Sequence, residues 1–251
     1  MTTILKLGGS VVTDKDEPET VDRTALEDAA DAVAETMGGT DPENLVVVHG
    51  GGSFGHPNAA AHGVTDTTGN HDATGIREIH DAMGELNGTV VEALQDRGVP
   101  ALPVRPLSVA FRDRDGLTAF PGEPIATMLA EGFVPVTHGD VVVQAGEGAT
   151  ILSGDEIVTL LADRLSADRV GVCSTVPGVL GGDGEVIDRI DDFRTVASAL
   201  GESESTDVTG GMAAKVRALL ELETPASVFG PADLRTFLSG GRPGTLVHRE
   251  H

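Results

Sequence analysis

The chain is poor in several residue types, and each shortage narrows what the protein can be. Tryptophan and tyrosine are absent and phenylalanine occurs seven times in 251 residues, which argues against the aromatic stacking platforms of nucleic-acid binding. The single cysteine, Cys173, can neither form an internal disulfide nor supply a metal-ligand cluster. No stretch approaches the ~20 apolar residues of a membrane span, and residues 1–3 lead into an apolar strand without signal-peptide features. We therefore expect a cytoplasmic protein that binds neither membrane nor nucleic acid.

Positive charge is also scarce. Forty acidic residues face 17 basic ones, for a formal net charge of -23. Such self-repulsion destabilises a compact chain at low salt and keeps it soluble where salt screens the charges. We interpret the acidic residues as a solvated surface, and a high-salt cytoplasm, as in halophiles, is our hypothesis for why it is tolerated.

Among the basic residues, lysine is the rare one. Only Lys6, Lys15 and Lys215 are present, and the remaining basic residues are arginines. Lysine carries a compact charge suited to a phosphate oxygen in a tight site, whereas the guanidinium of arginine is a planar fork that needs room. All three lysines lie close to glycine pairs, which favours phosphate binding over the alternative of chance survival in an arginine-biased genome.

Apolar strands alternate with helices along the chain. Residues 3–7 form an apolar strand, Thr24 to Glu27 has the pattern of a capping box, and 44–49 includes a continuous β-branched run typical of a strand buried on both faces. This order predicts a right-handed βαβ unit. Further helices are predicted at 73–94, 155–165 and 212–221, further strands at 101–104, 133–136, 169–173, 226–229 and 245–247, and hairpins at 112–116, 144–148 and 181–184. The predicted fold class is α/β, an open, mostly parallel sheet sandwiched between helices.

Two glycine-rich loops follow the first two predicted strands. Residues 6–10 read Lys-Leu-Gly-Gly-Ser, and residues 49–56 read His-Gly-Gly-Gly-Ser-Phe-Gly-His and are expected to open a helix. Ligands of such sheets bind at the carboxyl ends of the strands, where glycines let backbone N–H groups approach a phosphate. The two loops together predict a cradle for phosphate transfer.

Two other phosphate-binding motifs fit less well. Gly50, Gly52 and Gly55 satisfy the dinucleotide pattern G-x-G-x-x-G, but no strand with a terminal acidic residue follows, since residues 59–70 look like a loop. No lysine follows the glycines of a Walker A loop, so P-loop chemistry is excluded.

Several motifs together resemble those of the amino acid kinase family over nearly the whole chain. They are residues 6–10 with Thr13-Asp14-Lys15, 49–56, Ser153-Gly154-Asp155, and 207–212 with Lys215. Residues 50–56 and 135–140 are most similar to the isopentenyl phosphate kinase branch of that family. The resemblance implies an αβα sandwich with an N-terminal lobe of residues 1–165 for the acceptor and dimerisation, and a C-terminal lobe of residues 166–251 for the nucleotide. It also implies a homodimer that phosphorylates isopentenyl phosphate with ATP to give isopentenyl diphosphate, a step toward isoprenoids in an alternative mevalonate route.

The resemblance also implies roles for individual residues. Lys6 would bridge phosphates of ATP, Lys15 would stabilise the transferring phosphoryl group, and Lys215 would reach the nucleotide phosphates. Asp155 would orient the lysines, although a helix cap after Gly154 is an open alternative for it. His56 would donate a hydrogen bond to the acceptor's phosphate. The implied catalytic residues are Lys6, Lys15, His56, Asp155 and Lys215; the ATP-binding residues are Lys6, Gly8, Gly9, Ser10, Gly52, Asp155, Gly178, Gly210, Gly211 and Lys215; and the substrate-binding residues are Gly51, Gly52, His56, Gly139, Ile76, Ile79 and Met83.

Some residues and one loop have open interpretations. Ile76, Ile79 and Met83 follow helical spacing and fit either an apolar wall for the acceptor or the core. His49 is expected to be a structural hydrogen bonder, and His80 and His138 have no assigned role. Residues 174–178 read Ser-Thr-Val-Pro-Gly where relatives carry Thr-Asp-Val-Asp-Gly, so acidic contacts to the nucleotide are missing there.

No cluster of metal ligands is apparent, and we expect Mg²⁺ to be held mainly by the phosphates of ATP. An acceptor that is already a phosphate monoester brings its own nucleophilic oxygen, so no catalytic base is needed. Two alternatives remain: a fosfomycin-kinase-like enzyme acting on another small phosphate or phosphonate, and a non-catalytic nucleotide-binding or storage protein.

Overall fold

The computed structural model describes residues 1–37, 44–201 and 211–249. The predicted alternation of strands and helices is present throughout these residues. The helices are α1 Gly9–Val12, α2 Arg23–Met37, α3 Gly52–Ala61, α4 Ala73–Gln95, α5 Glu123–Ala130, α6 Gly154–Arg164, α7 Ala197–Gly201, α8 Gly211–Leu220 and α9 Leu234–Leu238. The strands are β1 Thr2–Leu7, β2 Asn44–His49, β3 Ala101–Pro103, β4 Phe111–Arg112, β5 Thr118–Ala119, β6 Val134–His138, β7 Asp140–Gln144, β8 Gly148–Leu152, β9 Arg169–Cys173, β10 Arg189–Ile190, β11 Ala226–Phe229 and β12 Thr245–Val247.

The main sheet has eight strands in the order β10-β12-β11-β9-β1-β2-β6-β3. All neighbouring strands are parallel except β11 and β12. Strand β1 lies between β2 and β9, so that Lys6 is level with Val48 on one side and with Val172 on the other. The carboxyl ends of β1, β2 and β6 therefore meet at one edge of the sheet.

Helices cover both faces of this sheet, which confirms the predicted fold class. Ile4, Val46 and Val48 belong to one buried cluster with residues of α5, α6 and α8. Leu5 and Val47 belong to a second buried cluster with residues of α2, α4 and α9. Because successive strand residues point to opposite faces, the period of two assigns each strand position to one cluster. We call these the α6 face and the α4 face of the sheet.

A second, four-stranded sheet with the order β5-β4-β7-β8 was not predicted. The hairpin expected at 144–148 joins β7 to β8, and the one expected at 112–116 joins β4 to β5. Arg112 is not part of the tip, because it lies in β4 with its side chain buried and donates to Glu156 Oε2 at 2.7 Å. The sheet escaped prediction because β4 and β5 have two residues each, too few for a periodic pattern.

One predicted helix start is wrong. The capping box at Thr24 to Glu27 is not formed, because α2 already begins at Arg23. The Asp22 carboxylate accepts from Ala25 N at 3.0 Å and is the cap. Leu26, Ala30 and Val33 lie on one face of this helix and are buried, and Met37 on the same face is partly buried.

The other predicted elements agree with the structure to within about two residues, the usual uncertainty of an element's ends. Helices α1, α5, α7 and α9 and strand β10 were not predicted. Residues 59–61 complete α3 instead of opening a loop. Over the parts of the chain described here, no helix combines the length and apolar character needed to cross a bilayer.

Candidate active site

The two glycine-rich loops lie against each other at the carboxyl edge of the sheet. A Cβ atom at Gly9 would lie 2.2 Å from Gly52 N, so only glycine allows this approach. Gly52 also has a φ of +48°, a left-handed backbone that side chains rarely adopt. The Thr13 hydroxyl joins the loops, because it donates to Gly9 O at 2.9 Å and accepts from Ser53 N at 3.0 Å. The two loops therefore pack together backbone to backbone, with Ser10 exposed beside them.

A cluster of two lysines and one carboxylate lies beside the loops on the α6 face. Lys6 Nζ is 2.6 Å and Lys215 Nζ is 3.0 Å from the same oxygen, Oδ2 of Asp155. Burial alone would raise the pKa of Asp155, but the charges of Lys6 and Lys215 and their hydrogen bonds hold it well below its usual range. The carboxylate is therefore ionised at neutral pH, and the three side chains together carry one net positive charge.

Local structure explains why these three side chains meet. Lys6 shares a strand face with Ile4 and so points toward α6. Ser153 caps α6 by accepting from Glu156 N at 3.1 Å, which makes the alternative of Asp155 as the cap wrong and leaves its carboxylate for the lysines. Gly154 permits the contact, because a Cβ there would lie 3.3 Å from Lys6 Cε.

Gly139 lies at the same place, at the junction between β6 and β7. Its amide donates to His49 O at 3.1 Å. A Cβ at Gly139 would lie 3.2 Å from Gly154 N, so the first turn of α6 packs directly on this junction. Gly139 therefore lies next to Gly154, the residue before Asp155 in α6.

Lys15 and His56 lie at the surface near the glycine loops. Lys15 is exposed in the turn closed by the bridge between Thr13 and Val21, and His56 is exposed on α3. Within the described residues neither side chain makes a hydrogen bond or an ion pair. The structure does not bring either one into contact with Lys6 or Lys215.

The three predicted apolar wall residues fall into two groups. Met83 belongs to the core of the α4 face and also underlies the second glycine loop, since a Cβ at Gly55 would lie 2.9 Å from its Sδ. Ile79 is buried in a separate small cluster with Val141 of β7, and Ile76 packs against that cluster. The three residues therefore do not form one continuous surface.

The expected nucleotide side is described only in part. Gly210, with residues 207–209, lies outside the described residues. Gly211 opens α8 with a φ of +62°, and no atom of the described residues lies within 4 Å of the place that a Cβ would take. Gly8 N donates to Cys173 O at 2.9 Å, which ties the first loop to the end of β9. Gly178 is buried after β9, where a Cβ would lie 2.6 Å from Val186 Cγ1 and 2.8 Å from Thr245 Oγ1.

The prediction that His49 is a structural hydrogen bonder is confirmed, but sequence reasoning missed the buried polar group on the α4 face to which it belongs. His49 and His138 are both fully buried, and their rings stack with centroids 5.3 Å apart. Asn87 of α4 is also fully buried, and its Nδ2 lies 3.2 Å from His49 Nε2. An asparagine four residues after Met83 on an apolar helix face was the available signal, because buried polar groups need partners.

His80 and Asp140 form a pair next to this group. His80 Nδ1 is 2.8 Å from Asp140 Oδ2, and this hydrogen bond raises the pKa of His80. Asp140 is buried, and its other oxygen accepts from Val141 N. Over residues 1–37, 44–201 and 211–249, no three His, Cys, Asp or Glu side chains are grouped as a metal site.

Comparison with known proteins gives the class to which this site belongs. The model of the amino acid kinase family matches residues 1–224. The chain therefore belongs to the amino acid kinase family.

Individual relatives are more specific. The chain is 61% identical over 247 residues to the isopentenyl phosphate kinase of Haloferax volcanii, with 98% of each chain covered. It is 37% identical over 226 residues to the isopentenyl phosphate kinase of Methanocaldococcus jannaschii, covering 86% of this chain and 85% of the relative. A solved isopentenyl phosphate kinase superposes with a TM-score of 0.82 at 28% identity, covering 98% of this chain and 100% of the other. The product complex of the Thermoplasma acidophilum enzyme superposes at 0.76 with 24% identity, covering 99% of this chain and 100% of that one, which supports the fold alone.

Proposed function

We propose that this protein transfers the γ-phosphoryl group of ATP to isopentenyl phosphate, giving isopentenyl diphosphate and ADP. The observation that carries the proposal is the convergence of Lys6 and Lys215 on one oxygen of Asp155, directly beside two interlocked glycine loops. Relatives covering 98% and 86% of the chain carry the name of this activity.

The glycine loops suit the binding of phosphate groups. In glycine-rich loops no side chain covers the backbone N–H groups, so these groups can bind an anion directly. Gly8, Gly9, Ser10 and Gly52 are proposed to hold the phosphates of ATP, with Gly178, Gly210 and Gly211 on the nucleotide side. Gly51 and Gly139 are proposed to hold the acceptor's phosphate.

The lysines supply the positive charge that phosphoryl transfer requires. An oxygen of isopentenyl phosphate attacks the γ-phosphorus, the bond to the bridging oxygen breaks, and its electron pair leaves with ADP. Negative charge spread over the transferring group is stabilised mainly by positioned cations. We assign this role to Lys6, Lys15 and Lys215. Asp155 keeps Lys6 and Lys215 pointing at one place.

Mg²⁺ is proposed to be bound mainly by the phosphate oxygens of ATP, as is usual for this ion. The carboxylate of Asp155 is already engaged by two lysines. We assign no other described carboxylate to the metal.

His56 and the apolar residues are proposed to recognise the acceptor. His56 is exposed at the end of the second glycine loop, so its ring is accessible to a phosphate. Ile76 is only partly buried and is proposed to offer apolar surface to a prenyl tail, while Ile79 and Val141 form the buried cluster against which it packs. Met83 supports the loop from below.

The finer biological context follows from the same family resemblance. We infer a homodimer, a division into lobes of residues 1–165 and 166–251, a cytoplasmic location, and a role in isoprenoid synthesis through a mevalonate route. Light scattering in concentrated KCl would report the dimer directly, and a monomeric mass would remove that part of the proposal.

The test is ADP release from MgATP in high salt with four acceptors: isopentenyl phosphate, isopentenol, fosfomycin and an acetylated amino acid. Turnover confined to isopentenyl phosphate, lost in His56→Ala and retained in His71→Ala, supports the proposal; His71 is a matched exposed histidine in the loop before α4. Turnover of fosfomycin instead keeps the kinase and changes the substrate. ATP binding without any turnover favours a non-catalytic nucleotide-binding protein.

A further inference from the structure

The stacked histidines occupy equivalent positions in neighbouring strands. His49 ends β2 and His138 ends β6, and the two residues are partners in the parallel register. The period of two places both on the α4 face, where each ring is fully buried. Each histidine is followed by a glycine at which the chain leaves the main sheet.

Each ring binds the carbonyl group of the residue that follows it. His49 Nδ1 is 3.1 Å from Gly50 O, and His138 Nδ1 is 2.9 Å from Gly139 O. A carbonyl oxygen can only accept, so both Nδ1 atoms must carry a proton and donate it. Both contacts therefore require a ring with a proton on Nδ1.

The partner of His49 Nε2 supports the neutral form. Asn87 Nδ2 lies 3.2 Å from this nitrogen and 3.4 Å from Val136 O. The Val136 carbonyl, which also accepts from Val104 N at 2.9 Å, can only accept, so the Asn87 atom that faces it is the amide NH₂ and not the amide oxygen. His49 Nε2, which faces the same NH₂ group, must therefore accept from it. His138 Nε2 has no hydrogen-bond partner among the described residues.

Burial keeps both rings uncharged. Desolvation lowers the pKa of His49 to about 4, against a smaller opposite effect of its bond to Gly50. Desolvation, followed by the nearby His49, lowers the pKa of His138 well below its ordinary value, and the positive charges of Arg105 and His80 act in the same direction. The carboxylate next to His138, Asp140, is paired with His80.

The bonds determine how the two following peptide groups are oriented. Both peptides are trans, and in a trans peptide the C=O and N–H groups point in opposite directions. With Gly50 O drawn toward the His49 ring, the N–H of Gly51 points away from it, and it has no other partner among the described residues. With Gly139 O drawn toward His138, the junction between β6 and β7 is fixed in the same way.

We propose that His49 and His138 are positioning residues of the acceptor site: their neutral, stacked rings fix the peptide groups that follow them and so hold Gly51 and Gly139 in place for the acceptor's phosphate. The location of the acceptor at these glycines rests on the proposed function. Asn87 holds His49 in the required tautomer.

The unequal surroundings of the two nitrogens of His138 provide a matched pair of variants. In His138→Asn the side-chain NH₂ can occupy the position of Nδ1 and keep the bond to Gly139 O, whereas in His138→Gln the polar group reaches only the position of Nε2. Since Nε2 has no partner, we expect His138→Asn to keep the KM of wild type within about twofold, and His138→Gln to raise the KM for isopentenyl phosphate about tenfold, the effect of one lost hydrogen bond. The KM for ATP and the Tm should be the same in both variants.

Three results would overturn the proposal. The first is an equal KM for the acceptor in the two variants. The second is a rise in the KM for ATP in His138→Gln that is as large as the rise in the KM for the acceptor. The third is a lower Tm of His138→Gln that accounts for its weaker activity. If wild type uses another acceptor, the KM of that acceptor takes its place in the comparison.

A second measurement does not depend on any acceptor. The ¹⁵N shifts of the histidine rings distinguish the two neutral tautomers and the protonated form. We expect His49 and His138 to be in the Nδ1–H form at pH 7, and an Nε2–H or protonated ring at that pH would overturn the proposal whatever the substrate is. Absence of turnover with every acceptor would remove the proposed function and with it the acceptor role, while the tautomers would still be decided by this spectrum.

Discussion

The two faces of the same sheet edge carry polar clusters of opposite character. On the α6 face, Lys6 and Lys215 share the ionised carboxylate of Asp155. On the α4 face, His49 and His138 are stacked and neutral. Gly154 lies close to one residue of each cluster, since a Cβ there would lie 3.3 Å from Lys6 Cε and 3.3 Å from the backbone oxygen of His49.

The difference lies in what the covering helix contributes. Helix α6 brings a carboxylate in its first turn, so burial and ionisation coexist because opposite charges lie within 3.0 Å. Helix α4 brings an amide, Asn87, which can accept or donate but cannot compensate a charge. The partner that the helix brings therefore decides whether the titratable group is charged. In our proposal the charged side faces the moving phosphoryl group and the neutral side orients the backbone.

The largest expected effect is on the charged side. Lys6→Met should lower kcat by about 10³-fold, because a buried cation next to the transferring group is lost. Lys6→Arg should not restore it, since a guanidinium does not fit where Gly154 closes on Lys6 Cε. Steady-state ADP release is the measurement, with Arg164→Met of α6 as the control. A kcat within tenfold of wild type for Lys6→Met would show that Lys6 is not at the reacting phosphate.

Removal of the shared carboxylate should affect stability as well as rate. In Asp155→Asn the repulsion between two lysines is no longer offset, and we expect a loss of about 2 kcal/mol, less than for a fully buried pair because Asp155 is 24% exposed. Urea unfolding against the control Asp163→Asn, exposed on the same helix, gives the difference. Equal midpoints for the two variants would mean that the cluster contributes nothing to stability.

The titratable groups on the two faces should lower the stability of the protein in different pH ranges. The folded-state pKa of His49 is lowered to about 4 from 6.5, so the unfolded chain binds the extra proton and stability falls as pH decreases through this range. The expected loss between pH 7 and pH 5 is roughly 2 kcal/mol. The pKa of Asp155 is also lowered, so its contribution is present above about pH 4 and is lost below it.

Urea unfolding at several pH values in high salt separates these ranges. His49→Asn should reduce the loss between pH 7 and pH 5 by the roughly 2 kcal/mol that His49 contributes and leave the part due to His138, whose pKa is lowered as well. Asp155→Asn should leave the whole loss unchanged. A wild-type curve that is flat from pH 7 to pH 5 would contradict a neutral buried histidine.

The smallest expected effect is that of salt on the stability difference between wild type and Asp155→Asn. With a net charge of -23, the Tm of wild type is expected to rise with added KCl, because screening reduces surface repulsion. The stability difference between wild type and Asp155→Asn should change by less than about 0.5 kcal/mol, since partly buried pairs are screened much less. A fold with the same Tm without salt would count against the high-salt hypothesis, and a difference that disappears in salt would mean that the cluster behaves like a surface pair.

Much of the architecture could be predicted from local patterns. The run from Leu45 to Val48 and the strand that contains Lys6 predicted the parallel centre of the sheet, because buried apolar runs followed by glycine loops have few alternatives. Glycine density also located both loops. The small sheet was missed because its pairing joins residues far apart in sequence, such as Phe111 and Val143.

The residues of the site could be predicted where each lies in a recognisable motif. Contacts between residues from different strands and helices could not be predicted. Lys6, Asp155 and Lys215 were named from motif resemblance, and their shared oxygen is a tertiary fact. The pairing of His49 with His138 depends on the register between β2 and β6, which neither strand's sequence specifies. The roles of Lys6, Asp155 and Lys215 stay predictions although the three side chains meet, and so do those of Lys15 and His56, whose side chains are exposed.

The measurement that tests the central claim most directly is ³¹P NMR of the wild-type protein with MgATP and isopentenyl phosphate in high salt. We predict that the single resonance of the monoester is replaced by two coupled resonances of a diphosphate while ATP is converted to ADP in equal amount. A monoester resonance that persists while ATP is consumed, or while ATP remains intact, would contradict phosphoryl transfer to this acceptor.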